Sequence, residues 1–170
     1  MGRTSLQDMR GVGDPLQQWN WDLFIPNMPG TPNSRPFTFK CQTTSIPGYQ
    51  IEQVLVQLHG VELSYAGRAI YTKTFDCTVL ESRDGSTRDM FIKWKELARS
   101  WKLNTGTSKD VYATNAELLL YDDTPSVVRT IKIYGIWPSN LADSQLEGSA
   151  SSAVTLNVTF NYDWVDDSAS

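Results

Sequence analysis

The chain has 170 residues, 40% of them hydrophobic and 20% charged, with a formal net charge of -4. That length suits one domain, which buries roughly two-thirds of its unfolded surface around a single core. Scattered basic residues exclude a phosphate-gripping stripe, and no apolar run approaches the ~20 residues that cross a bilayer.

The first 14 residues, MGRTSLQDMRGVGD, are polar and glycine-bearing, and so is the tail VDDSAS at about 165–170. Both are expected to be loose in an isolated subunit. The start carries no signal-peptide apolar region, and Leu6 stands where a myristoylated Gly2 would want Ser or Thr. The chain therefore reads as made and kept in a cytosol. A strand is expected at about 18–25, followed by a surface loop over 26–36 that holds four prolines. Further strands follow at about 37–44, 50–59, 61–66 and 70–81, with Pro47-Gly48 and Ala66-Gly67 as turn signals. The stretch YQIEQVLVQLHGVELSYAGRAIY is only weakly two-faced, so a neighbouring molecule is expected to set part of its register and burial.

One convincing helix is expected, over 86–101. Ser86 can cap it and Asp89 can complete a capping box, while Phe91, Trp94, Ala98 and Trp101 recur on one apolar stripe. Beyond a polar loop at 104–110, a strand near 112–121 turns at Asp122-Asp123-Thr124-Pro125 into another at about 127–137. In that strand Ile131 and Ile133 alternate with polar neighbours. Gly135, Trp137 and Pro138 then read as an abrupt stop with an indole at the rim. The last segment, SAVTLNVTFNYDW, alternates almost without error, with Val154, Leu156, Val158, Phe160, Tyr162 and Trp164 on one face.

Little in the chain suggests catalysis. His59, the only histidine, precedes Gly60 at a strand end, which excludes a multi-His metal site and suits a solvent-edge role. The carboxylate pairs Asp122-Asp123, Asp166-Asp167 and Glu81 with Asp84 fall at a turn, a tail and a strand end. Cys41 and Cys77 read as two reduced, packed thiols. No phosphate loop, metal-finger spacing or nucleophile elbow occurs. The six tryptophans fit packing better than a sugar platform. No enzyme activity, metal or cofactor is expected.

Four segments in order, FTFKCQTTSIPG (37–48), AGRAIYTKTFDCTVLESRD (66–84), FIKW (91–94) and IKIYGIWPSNLADSQL (131–146), resemble the tail tube protein of contractile-tailed, myovirus bacteriophages. The resemblance covers roughly residues 36–165, and its motif positions are Phe39, Pro47, Gly67, Phe75, Trp94, Gly135, Trp137, Pro138 and Asn140. It implies a mainly β fold: an antiparallel β-barrel or sandwich with one flanking helix, six copies of which form a ring with a continuous inner β-barrel. Rings would stack into a tube inside a contractile sheath, the conduit for DNA ejection. The implied partners are the chain itself, the tail sheath protein, the baseplate hub or tube initiator, the tail terminator, and the tape measure protein and DNA in the lumen. The implied location is the virion tail, assembled in the host cytoplasm without membrane anchoring. By the same resemblance Trp137 packs the boundary between the core and the loop leading to Leu146.

A DNA conduit must not grip its cargo, since each neutralised phosphate adds affinity. Polar strand faces are therefore the lumen candidates: Thr74, Asp76 and Thr78, or Asn157, Thr159 and Asn161, with Glu52 and Gln57 belonging to the same question. Phe75, Cys77 and Val79 would then point to the core. The position of the 26–36 loop suits a contact between rings. The alternatives are a baseplate tube initiator or the tube of a contractile injection or type VI-like secretion system. From another class, a monomeric carbohydrate-binding β-sandwich is the rival.

Overall fold

The computed structural model describes residues 11, 15–31, 35–124, 126–149 and 151–169. Among these residues nine strands carry the fold: β1 (Trp21–Phe24), β2 (Cys41–Thr44), β3 (Tyr49–Leu58), β4 (Val61–Tyr71), β5 (Thr74–Leu80), β6 (Thr114–Tyr121), β7 (Val127–Leu141), β8 (Thr155–Asn161) and β9 (Trp164–Ala169). Three helices join them: α1 (Arg35–Lys40), α2 (Ser86–Ala98) and the single turn α3 (Lys109–Tyr112). Seven strands form an antiparallel sheet in the order β1-β6-β7-β8-β5-β2, with β9 also paired to β7. The β3 and β4 strands form a separate two-stranded hairpin.

The sheet turns a corner along β7. The first part of β7 pairs with β6 on one side and β9 on the other, and its last part pairs with β8. The register runs unbroken through the corner, since Tyr134 faces Trp164 and, three residues on, Trp137 faces Asn161. Gly135 makes the corner possible. Its φ is +68°, and a Cβ there would overlap the Asp163 carboxylate, lying 2.8 Å from its Cγ. The Gly135 N–H is directed to Asn115 Oδ1, and the Asp163 N–H donates to the Tyr134 carbonyl. Lys109 holds the Asp163 carboxylate in place at 2.5 Å. Glycine is required because backbone and carboxylate approach where any side chain would stand.

The core lies between this bent sheet and α2. Phe160 sits at its centre with 0% exposure, and its ring meets Phe37, Phe75, Phe91 and Trp94 at centroid distances of 6.5, 5.2, 6.1 and 5.9 Å. Alternation delivers Phe75, Cys77 and Val79 from β5 and Leu156, Val158 and Phe160 from β8 to this core, as expected. The α2 helix contributes Phe91 and Trp94, and the Trp94 indole donates to the Tyr112 carbonyl at 2.6 Å.

Several sequence expectations change. Residues 35–40 are helical, not part of a strand over 37–44. One helical turn buries Phe37 and leaves Phe39 75% exposed, so the short apolar alternation there was a false period. Ala66-Gly67 is not a turn. Gly67 lies inside β4 against a β-bulge, where a Cβ would come 2.9 Å from the Glu52 carbonyl oxygen. The chain turns instead at Thr72-Lys73, with Lys73 at φ 64°.

The stop at Pro138 does not occur either. The strand continues to Leu141, and Pro138 is buried opposite Phe160 beside a bulge that absorbs its missing donor. The α2 helix ends at Ala98, which leaves Trp101 outside the apolar stripe and 74% exposed. No side chain of Ser86 caps it. Instead Glu81 accepts from the N–H groups of Thr87 and Arg88, and Asp84 Oδ1 accepts from that of Ser86.

The apparent tail is β9 over Trp164–Ala169, with residue 170 outside the described residues. It pairs with β7 from Arg129 to Tyr134, is stapled by the Arg129–Asp167 ion pair, and stacks Trp164 on Tyr134 at 4.0 Å. The expected loose start over 1–14 lies, Gly11 apart, outside the described residues, as do 32–34 of the proline-rich loop. Within that loop Met28 reaches the core at 3% exposure.

Candidate assembly surfaces

The residues singled out for chemistry are taken up by structure. His59 (φ 50°) and Gly60 (φ 82°) are the two left-handed positions of the turn joining β3 to β4. Asp122 Oδ1 accepts from the Asp123 N–H within its turn, Asp167 pairs with Arg129, and Glu81 and Asp84 serve the start of α2. Among the described residues no three His, Cys, Asp or Glu side chains gather as a metal site, and no helix is long and apolar enough to cross a membrane.

The two polar faces offered as alternatives for the lumen are one surface. Register pairs Thr74 with Asn161, Asp76 with Thr159 and Thr78 with Asn157. Thr159 Oγ1 donates to Asp76 Oδ1 at 2.6 Å, and Thr78 Oγ1 donates to Asn157 Oδ1 at 2.9 Å. The surface extends through Thr43, opposite Thr78, and exposed Asn140, opposite Thr159. These side chains are hydroxyls and amides around one carboxylate, Asp76, so their combined charge is at most weakly negative. Behind them stand Phe75, Cys77 and Val79.

Glu52 and Gln57 lie elsewhere, on the hairpin. Strand alternation sends them to opposite faces. Glu52 pairs with Arg68 at 2.8 Å, and Gln57 faces Glu62. Register also resolves the weak two-facedness of this stretch. Opposed pairs Val54–Tyr65, Val56–Leu63 and Leu58–Val61 make one face apolar over the outer half of the hairpin, beyond the Glu52–Arg68 pair on the same face, while Gln53, Leu55, Gln57, Glu62 and Ser64 share the other. Among the described residues nothing covers the apolar face, with Val54 at 46%, Leu58 at 49%, Val61 at 59% and Tyr65 at 52% exposure. At ~3.3 Å per residue the hairpin reaches about 30 Å, and a lone two-stranded hairpin is marginal in water.

Of the remaining motif positions, Trp94 is buried, Pro47 half-buried and Phe39 exposed. Leu146 is 79% exposed, and half-buried Trp137 meets Tyr112 edge-on at 5.8 Å. With Trp101, Ile92, Pro138 and Leu141 it lines a groove along α2. Packing accounts for most of the tryptophans, with Trp94 buried, Trp21 against the core, Trp137 on Tyr112 and Trp164 on Tyr134, while Trp19 and Trp101 are each 74% exposed. Sequence reasoning missed the role of Glu81 at the start of α2 and that of Asp163 beside Gly135. An acidic residue five positions before Ser86 was the available signal for the first, and the second becomes visible only when β8 and β9 are laid against Gly135.

The family model described as "Phage tail tube protein" matches residues 25–165. Tail tube protein gp19 of Enterobacteria phage T4 is 28% identical over 134 residues, covering 75% of this chain and 80% of that protein. Among solved structures, the tube-terminating cap of the anti-feeding prophage superposes with a TM-score of 0.68 at 11% identity, covering 94% of both chains. A chain of the PVC extracellular contractile injection system sheath-tube complex gives 0.62 at 13% identity, covering 99% of this chain and 100% of that one. Both superpositions show a shared fold. With the family model spanning most of its length, the chain belongs to the phage tail tube protein family.

Proposed function

We propose that six copies of this chain close into a ring, that rings stack into the inner tube of a contractile tail, and that the β5–β8 polar face looks into the lumen. As a tail tube protein the chain is a structural component of the virion tail and not an enzyme. The observation that carries the proposal is the hairpin: a row of six apolar side chains on one face, five exposed and Val56 half-buried, with no other element among the described residues over it. Exposed apolar surface of this extent marks an interaction site, and identical neighbours around a closed ring supply a cover for every copy.

With the apolar face against a neighbour, the polar face bearing Gln53, Gln57 and Glu62 is free to join Asp76, Thr159 and Asn157 along the inner wall. Glu52, on the other face and paired with Arg68, leaves the lumen set. A wall of hydroxyls, amides and a few carboxylates neutralises no phosphate, so DNA and a tape measure protein pass without counterion-driven retention. Sheath, baseplate hub and terminator are the remaining partners of this reading, the sheath along the outside and the others at the two ends.

Electron microscopy of the purified chain at high protein concentration tests the proposal. Even-width tubes with six-fold rings are expected, and L58S/L63S on the hairpin's apolar face should yield folded single chains and no tubes. A wild-type chain that sediments as a monomer at every concentration overturns it. The likeness to the anti-feeding prophage cap favours a second reading, a tube-end or injection-particle subunit. Single capped rings in place of long tubes would select it.

A further inference from the structure

Cys41 opens β2 and Cys77 sits in the middle of β5. Register places Cys41 opposite Val79 and Thr44 opposite Cys77, with a bulge between Cys41 and Thr43. The two cysteines are thus diagonal neighbours across adjacent strands. Their Sγ atoms lie 2.6 Å apart, and both are free thiols. Bond formation requires only about 0.6 Å of further approach to reach an S–S length of about 2.0 Å.

We propose that Cys41 and Cys77 are a modification site at which oxidation forms a disulfide within the chain, covalently joining β2 to β5. The segment enclosed spans 36 residues and contains the whole β3–β4 hairpin, so the bond would tie off the base of that projection. Cys41 is half-buried while Cys77 is 1% exposed, and an oxidant arriving from solvent meets Cys41 first. The hydrogen bond with Cys41, burial and the charge of Cys41 push the Cys77 thiol far above its ordinary range, so Cys77 keeps its proton until it reacts.

With hydrogen peroxide, the Cys41 thiolate attacks one peroxide oxygen, the O–O bond breaks, and hydroxide leaves a sulfenic acid on Cys41. The Cys77 sulfur then attacks the Cys41 sulfur, the S–O bond breaks, and the departing hydroxide takes the Cys77 proton as water. In sum, two thiols and one peroxide give one disulfide and two waters, with two electrons passing from sulfur to oxygen. A reducing cytosol holds the pair as thiols, and a particle released into an oxidising medium meets the conditions that close it.

The test uses the full chain, reduced with a phosphine, freed of reductant and exposed to stoichiometric hydrogen peroxide. The expected result is loss of both titratable thiols, an intact mass lower by two hydrogens, and a non-reduced peptide map in which the Cys41 and Cys77 peptides are linked. The oxidised chain should melt roughly 5–10 °C above the reduced one, the scale set by a loop of this length and a chain of this size, and reductant should reverse the gain. C41S should melt with the reduced wild type and gain nothing from peroxide. Two thiols that stay titratable, a sulfinic acid at Cys41 with no linked peptide, or links between chains instead of within one would overturn the proposal. The wild-type peptide map decides it even if the variant fails to fold.

Discussion

The β5–β8 pair and the β3–β4 hairpin are both antiparallel ladders in register, and their burial could hardly differ more. Along β5 and β8 every second side chain is buried and its neighbours form a polar surface. Along β3 and β4 nearly every side chain is exposed, although one face is as apolar as any strand in the core. The first pair has α2 and the aromatic cluster behind it, and the second has nothing behind it among the described residues. A strand pair acquires a hydrophobic driving force only when something covers it, so one is finished within the subunit and the other is completed by assembly.

Breaking the finished half should cost the most. F160A removes the ring at the centre of the cluster and should destabilise the isolated chain by about 3–5 kcal/mol, measured as a shift in the denaturation midpoint at unchanged slope. A loss below ~1 kcal/mol would mean the core is not organised around this ring.

Next comes the corner that lets one sheet wrap the core. G135A should lose about 2–4 kcal/mol, of which ~1–2 reflects the left-handed backbone and the rest displacement of the Asp163 carboxylate. Adding D163A should return the steric part, because the Lys109 ion pair given up is half-exposed and worth at most about 1 kcal/mol. Equal losses in the single and double variants would remove the carboxylate from the explanation of Gly135.

The unfinished half should answer differently. L58S/L63S replaces apolar side chains that are already 49% and 39% exposed. The isolated chain should change by under about 1 kcal/mol, whereas tube formation should disappear. A large loss in the isolated chain would show that the hairpin is covered from within, and the contrast between the two pairs would close.

The sequence made the finished half legible and the corners opaque. Alternation from Thr74 to Val79 and from Thr155 to Phe160 read correctly because burial there has period two and the residues behind it are local to the pattern. His59-Gly60 was likewise visible as a strand end. Gly67, Gly135 and Pro138 were misread as breaks because glycine and proline signal a turn and a close approach in the same letters. What distinguishes them is the partner strand, Glu52 for Gly67 and Asp163 for Gly135, which no single stretch contains. The same reason hid β9. Val165, Asp166 and Asp167 look like a solvated tail until Ile133, Lys132 and Ile131 are placed across from them. The hairpin's apolar face was obscured because it emerges only when β3 and β4 are paired.

The smallest effect sharpens the same contrast through pH. Hydrogen bonds from the Ser86 hydroxyl and N–H hold the Asp84 carboxyl below the ordinary carboxylate range, at the point where the chain enters α2. A carboxyl whose folded pKa is depressed binds protons more readily when unfolded. Its stabilising contribution is therefore complete above the ordinary carboxylate value and is lost as pH falls through the folded one. Asp84 is exposed, so the loss is slight and should appear as loosening of the first turn of α2, not as unfolding. In the wild-type chain, acid titration should move the amide resonances of residues 84–88 together while those of the hairpin turn at 59–60 follow a separate course. D84N should abolish that shared movement and flatten the acid side of the stability profile. If wild type and D84N lose stability in parallel as the pH drops, the start of α2 owes nothing to this carboxylate and Glu81 alone holds it.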